Sequence, residues 1–181
     1  MKKAIIIFII FNFAIPAIAL VSDTTVNTKP IRHLRPLQGN SLYLEIGGNA
    51  MLASINYERL VVKSNRFYLT GRVGFGIGTY IRGMSGQDFL AIPLLLNFQY
   101  QLSNVFALEF GAGSTLSIVP SRQYFNPLIT AVIGMRVQSK SGFLFKVGFT
   151  PLVSLDKFFK LWGLETFLPW AGISLGYSFG K

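Results

Sequence analysis

Residues 171–179 read Ala-Gly-Ile-Ser-Leu-Gly-Tyr-Ser-Phe, and this segment is the clearest local indication of the fold class. Apolar side chains at every second position alternate with glycine and serine, which is the period of a β-strand. One face of such a strand is apolar from end to end, and the other carries only small or polar groups. This combination is typical of a strand in a membrane barrel, which turns its apolar face to lipid and its small residues to a narrow lumen.

The same alternation runs through seven earlier segments. They lie at residues 41–49, 53–58, 66–78, 92–101, 106–113, 128–138 and 143–150. No window beyond the N-terminal signal holds the 18 or more continuous apolar residues that a membrane helix needs. The sequence therefore predicts an all-β protein, an eight-stranded antiparallel up-and-down transmembrane β-barrel over residues 41–179, with a tail at 180–181.

The connections between these segments alternate in length. Short ones are expected at 63–65, 102–104 and 139–141, and longer ones at 79–88, 119–127 and 152–168. A tight turn near residues 50–52 is the one exception. Short turns at one end and longer loops at the other are typical of an even-stranded outer-membrane barrel with both termini on the periplasmic side.

The first 19 residues have the features of a cleavable signal peptide. A positive pair at 2–3 precedes an apolar stretch at 4–15 and a small-x-small motif at 17–19. An N-terminal membrane anchor is the less favoured alternative, because the apolar run is short and a polar segment follows it. We expect cleavage after Ala19, an extended periplasmic leader over residues 20–40, and export to the outer membrane of a Gram-negative bacterium.

The composition and net charge of the chain limit the kinds of partner that we expect it to bind. The chain has no cysteine, and its 17 Lys and Arg outnumber its 7 Asp and Glu. The absence of cysteine excludes a disulfide framework and a thiol-linked lipid anchor. Positive charge suits either nucleic acid or anionic lipid. Because the chain is predicted to be exported and rich in strands, we expect outer-membrane lipid, including lipopolysaccharide, as the partner, and no nucleic acid.

A water-soluble eight-stranded barrel, such as a lipocalin, also shows alternation. Its interior is apolar and its outside is charged. Here Leu, Ile, Val and Phe occupy one face, and the charges lie among glycine and serine on the other. The chemistry of the two faces therefore favours a membrane barrel over a soluble ligand-binding barrel.

Six charged residues fall on the inward face at similar heights. They are Glu45, Glu58, Glu109, Arg72, Arg136 and Lys146. Because an unpaired charge in a narrow interior is costly, we expect a balanced ionic network across the lumen. A gate or proton path is one interpretation, and a structural plug is the preferred one. Arg59 lies on the lipid face near a strand end, from which a long side chain reaches the interface.

Catalytic and metal sites are not predicted. The only histidine, His33, lies in the leader outside the barrel, so a Ser-His-Asp arrangement is not expected. One histidine without cysteine does not make a metal site. The sequence therefore predicts no catalytic residue, no metal and no cofactor, and the protein is not expected to be an enzyme.

The last long connection carries an amphipathic pattern. Four apolar residues fall at helical spacing, and two lysines lie on another side of the same helix. The apolar residues are Leu155, Phe158, Phe159 and Trp162, and the lysines are Lys157 and Lys160. Aromatic rings at headgroup level with lysines toward anionic groups are typical of an interfacial helix. An ordinary packed loop is the alternative.

Several stretches carry a family resemblance: the signal, the opening strand at 44–47, the strand at 72–76 and the closing strand at 172–179. In these the chain resembles the small eight-stranded outer-membrane β-barrel family that includes the transmembrane domain of outer membrane protein A. The resemblance implies insertion by the barrel-assembly machinery, through a C-terminal signal formed by Ile173, Leu175, Tyr177 and Phe179. Its motifs are architectural and imply no reaction.

Together these features favour a non-catalytic outer-membrane barrel whose lumen is plugged by the charged network. We expect a role in envelope integrity or in surface contacts through the outer loops. A narrow, porin-like channel for small solutes or ions predicts conductance. A lipid-modifying enzyme predicts a polar triad near the outer rim, which the sequence does not offer.

Overall fold

Antiparallel strands make up most of the chain that the computed structural model describes, residues 34–82, 85–120, 124–154 and 167–180. No helix in these residues has the length and apolarity of a membrane span. In chain order the elements are β1 (Asn40–Gly47), the 3₁₀ turn η1 (Gly48–Ala50), β2 (Ala53–Ser64), β3 (Phe67–Arg82), β4 (Ser85–Gln101), β5 (Phe106–Val119), β6 (Tyr124–Gln138), β7 (Phe143–Phe149), β8 (Leu152–Ser154), β9 (Phe167–Leu168) and β10 (Ala171–Phe179).

From β1 to β7 each strand pairs with the next one in the chain, and β1 closes the sheet by pairing with β10. The closing register sets Ser41 opposite Ser178 and Leu44 opposite Leu175. β7 and β8 both pair with β6, so together they form one interrupted wall strand, and β9 and β10 form another. The predicted eight-stranded antiparallel up-and-down barrel is therefore confirmed.

The barrel has two distinct ends. We call the end that carries Asn40, Phe179 and the turns after β2, β4 and β6 the terminal end. The opposite end, at which β3, β5 and β8 end and β4, β6 and β9 begin, also carries η1, and we call it the loop end.

The strands near the loop end are longer than the sequence predicts. The predicted loop at 79–88 is wrong, because β3 and β4 remain paired up to Arg82 and Ser85. The predicted connection at 119–127 is also too long, since Val119 pairs with Tyr124. β8 and β9 occupy both ends of the predicted loop at 152–168. Glycine and polar residues in these segments resemble turn signals, but backbone pairing with a neighbour already in register overrides them.

Side chains alternate between the two faces along the closing strand. Ile173 and Leu175 are 53% and 54% exposed, whereas Ser174, which lies between them, and Ser178, farther along the strand, are buried. The same holds on β1, where Leu44 and Ile46 are exposed and Glu45 is buried. The outer surface of the barrel is thus apolar, as the sequence predicts.

The inner surface is less uniform than predicted. The sequence indicates small or polar residues along the whole inward face, and this is wrong near the loop end. There, a buried apolar cluster fills the lumen with Ala50, Met51, Phe89, Ala91, Val119, Leu128 and Leu152. The physical reason is that η1 folds inward and supplies apolar atoms, so these wall residues are buried without facing water.

The terminal end is closed by the chain segment that precedes β1. Leu37 is buried against Tyr68 and Ala107. The Arg35 guanidinium donates to the backbone carbonyls of Asn104 and Gln138, both at 3.2 Å. Residues 34–39, the described part of the predicted leader that precedes β1, therefore pack into the mouth of the barrel.

Candidate functional site

The six charged residues predicted to face the lumen meet in one layer. Four ion pairs connect them: Arg72 with Glu45, Arg136 with Glu58, Lys146 with Glu58 and Lys146 with Glu109. Each side chain is less than a tenth exposed. The layer has three positive and three negative groups, so its formal charges balance, which limits the cost of removing them from water.

Glu58 is the most connected carboxylate of the layer. Its Oε1 accepts from Arg136 Nη1 and from Gln99 Nε2, the latter at 2.9 Å. Its Oε2 accepts from Lys146 Nζ at 3.1 Å and from Asn97 Nδ2 at 3.2 Å. Both oxygens are therefore fully engaged, by groups on β4, β6 and β7.

Lys146 on β7 links two of the acids. Its Nζ donates to Glu109 Oε1 at 2.7 Å and to Glu58 Oε2 at 3.1 Å. The same ammonium donates to the Tyr43 hydroxyl at 3.2 Å and lies 4.5 Å from the centroid of that ring. All three ammonium hydrogens have partners, so this cation is fixed in place.

Arg72 on β3 organises the side of the layer nearer the loop end. Its Nη2 pairs with Glu45 Oε2, its Nη1 donates to Asn49 Oδ1 at 2.9 Å, and its Nε donates to Asn56 Oδ1 at 3.0 Å. Its Cζ lies 5.4 Å from the Tyr43 ring centroid. Tyr43 therefore contacts both Arg72 and Lys146 and joins the two halves of the layer.

Asn49 reaches the lumen because the chain leaves the wall after β1. Gly47 and Gly48 have φ of 73° and 66°, values that side chains other than glycine rarely adopt. A Cβ on Gly48 would also overlap the Glu45 carboxylate. These two glycines turn η1 inward, and the Asn49 carbonyl then accepts from Thr115 Oγ1 at 2.9 Å.

A small cavity of about 20 Å³ lies beside Glu109, Lys146 and Thr150. This volume has room for about one water molecule. Glu109 Oε2 and Thr150 Oγ1 are buried there without a hydrogen-bond partner among the described residues. A space of this size does not admit a larger solute.

The sequence predicts all six charged members of the layer but not its neutral members. Tyr43, Asn49, Asn56, Asn97 and Gln99 all bond to a charged group. Each of them falls at an inward-facing position of its segment, and this position is the indication that the sequence gives. Their roles require the three-dimensional register, because the partners lie on different strands.

The other predicted site residues have these positions. Arg59 is exposed near the terminal end of β2. The four residues of the predicted insertion signal point outward from β10: Ile173, Leu175, Tyr177 and Phe179. His33 and the predicted interfacial residues at 155–162, with Phe158, Phe159, Trp162, Lys157 and Lys160, lie outside the described residues. Among those that are described, no three His, Cys, Asp or Glu side chains form a group able to hold a metal ion.

No protein-family model, curated protein or solved structure matches the chain. The two faces of the barrel and its interior are therefore the basis for a functional proposal.

Proposed function

We propose that this protein is a non-catalytic, non-conducting integral outer-membrane β-barrel with a structural role in the cell envelope or in contacts made at its loop end. The observation that carries the proposal is the inversion of the two faces: exposed apolar side chains surround a buried ionic layer.

The outer face supports a lipid environment. Exposed apolar residues occur on every long strand, and they include Leu44, Phe75, Phe110, Ile133 and Leu175, each at least 44% exposed. A continuous apolar surface around a whole molecule is not tolerated in water, where it causes association. In a bilayer the same surface is solvated by acyl chains, and barrel closure satisfies the backbone hydrogen bonds.

The interior supports a closed lumen. The ionic layer, the apolar cluster at the loop end and the segment at 34–39 fill successive levels of the barrel. An eight-stranded barrel leaves an interior only just wide enough for side chains, and here these are large. This arrangement favours the plug over the channel.

The signal-like N-terminus and the resemblance to small outer-membrane barrels support export and insertion by the barrel-assembly machinery. The described interior offers no Ser-His-Asp arrangement, so the lipid-modifying enzyme is the weaker alternative.

The proposal is tested by reconstituting the refolded protein in planar lipid bilayers. We expect insertion without discrete current steps, and we expect the same of Arg72→Ala, which weakens the layer but leaves the apolar cluster in place. Stable open steps in the wild-type protein would contradict the proposal. In the native host, deletion of the gene should increase sensitivity to detergents, and unchanged sensitivity would argue against an integrity role.

A further inference from the structure

The hairpin formed by β2 and β3 carries three exposed bases, from the last β2 residue that pairs with β1 to the turn. Arg59 is the last β2 residue with a partner on β1, Asn40, and β2 continues beyond it to Ser64. Lys63 precedes the turn that follows, and Arg66 lies in that turn. All three bases are exposed. We call Arg59, Lys63 and Arg66 the hairpin bases.

No acid neutralises the hairpin bases within the described structure. Of the acidic residues there, Glu45, Glu58 and Glu109 are buried in the ionic layer, and Asp88 pairs in register with Thr79 near the loop end. None of the hairpin bases forms an ion pair with a described residue. Their charge is therefore available to an external anion.

Exposed apolar groups surround these bases. A register shift between Leu60 and Val62 leaves both Val61 and Val62 exposed, at 62% and 45%. The Phe67 ring follows Arg66 directly and lies 5.0 Å from the ring centroid of Tyr100. Exposed valine beside the charge does not contribute to the binding of a soluble anion or a nucleic acid. Bases interleaved with apolar and aromatic side chains match the boundary between acyl chains and headgroups.

The net charge of the terminal rim supports the same partner. Arg35 and Lys140 also lie at this rim, in the segment before β1 and in the turn after β6. The turns of this rim, at residues 64–66, 102–105 and 139–142, contain no acid. A rim with one sign of charge, placed at headgroup depth, attracts anionic lipid.

We propose that the hairpin bases bind the phosphates of anionic phospholipid headgroups in the leaflet at the terminal end of the barrel. This inference rests on the proposed membrane location. Binding there fixes the depth of the barrel. Lys63 and Arg66 lie at the phosphates, and Arg59, which by register lies deeper than both, reaches the phosphates with its long side chain.

The test compares phosphatidylglycerol with phosphatidylcholine around the inserted protein. Spin-labelled forms of each lipid report their relative association with the wild-type barrel in phosphatidylcholine vesicles. The variant Arg59→Gln/Lys63→Gln/Arg66→Gln removes the hairpin bases. The control Arg82→Gln/Arg122→Gln removes two bases away from the hairpin, one of them at the end of β3, and Lys63→Gln/Arg66→Gln is the variant matched to it in charge.

We expect the wild-type protein and the control to prefer phosphatidylglycerol. In the hairpin variant, the ratio of phosphatidylglycerol to phosphatidylcholine association should fall by about fivefold or more, since each base near an anionic surface contributes to binding. The preference should also weaken in high salt. If the triple variant fails to fold, the single variants Lys63→Gln and Arg66→Gln are used for the same measurement.

A hairpin variant that keeps the wild-type preference would overturn the inference. A wild-type barrel that inserts in phosphatidylcholine without preferring phosphatidylglycerol would also overturn it, and would leave the proposed membrane location standing. Failure of the wild-type protein to insert in either lipid would overturn both.

Discussion

Glu58 on β2 accepts a hydrogen bond from Arg136 on β6, which lies halfway round the ring of eight wall strands. The pair therefore ties opposite walls of the barrel together through the lumen. Lys146 on β7 bonds to the other oxygen of the same carboxylate. A single side chain thus holds two cations, and its loss affects both.

Glu58→Gln is expected to destabilise the barrel strongly. The amide removes the negative charge that compensates Arg136 and Lys146, both of which stay buried. Breaking a buried ion pair from one side costs about 3–5 kcal/mol. Urea unfolding in micelles, followed by heat-modifiable gel migration, measures the change. Ser64→Ala, at an exposed position on the same strand, should stay within about 0.5 kcal/mol. A Glu58→Gln loss as small as that of the control would contradict the assigned role.

Gly176→Ala is expected to disturb the closing seam. A Cβ on Gly176 would overlap the backbone carbonyl of Leu42 and the side chain of Tyr43 on the neighbouring strand. Overpacking of this kind costs about 1–3 kcal/mol. Gly71→Ala is the control, because its Cβ would lie 3.7 Å from Val61 Cγ2, an ordinary contact. Thermal unfolding followed by circular dichroism compares the two, and equal melting temperatures would argue against the observed register.

Leu37→Ala is expected to loosen the terminal end. Leu37 is 6% exposed and packs against Tyr68 and Ala107, so truncation removes buried apolar contact. Loss of a buried leucine side chain costs about 2–5 kcal/mol. Pro36→Ala, at the exposed neighbouring position, serves as the control in the same unfolding measurement. If the two variants behaved alike, the segment at 34–39 would not be an integral part of the barrel.

The sequence predicts the faces of the barrel well because side-chain direction alternates strictly along a strand. Ile173 and Ser174 show this on β10, and Glu45 and Leu44 show it on β1. The same rule predicts that all six charged residues face inward. It does not predict that Glu58 meets Arg136, since that contact depends on the size of the ring and on which strands lie opposite each other.

Strand ends and the folded-in turn were not predictable from alternation alone. Thr79 pairs with Asp88 in a segment whose glycines and polar residues indicate a loop. Asn49 enters the lumen because Gly47 and Gly48 permit a turn that ordinary residues rarely adopt. A glycine pair in the sequence indicates that a sharp bend is possible, but only the surrounding structure fixes its direction.

The central claim, that the apolar face of the strand at 171–179 meets lipid, is tested most directly by spin labelling. The chain has no cysteine, so single nitroxide labels can be placed through Ile173→Cys, Leu175→Cys and, as an exposed turn control, Ser141→Cys. In reconstituted protein, we predict that labels at 173 and 175 collide readily with oxygen and poorly with a water-soluble nickel chelate, while the label at 141 shows the reverse. The claim would be contradicted if the nickel chelate reached the labels at 173 and 175 as readily as it reaches the label at 141.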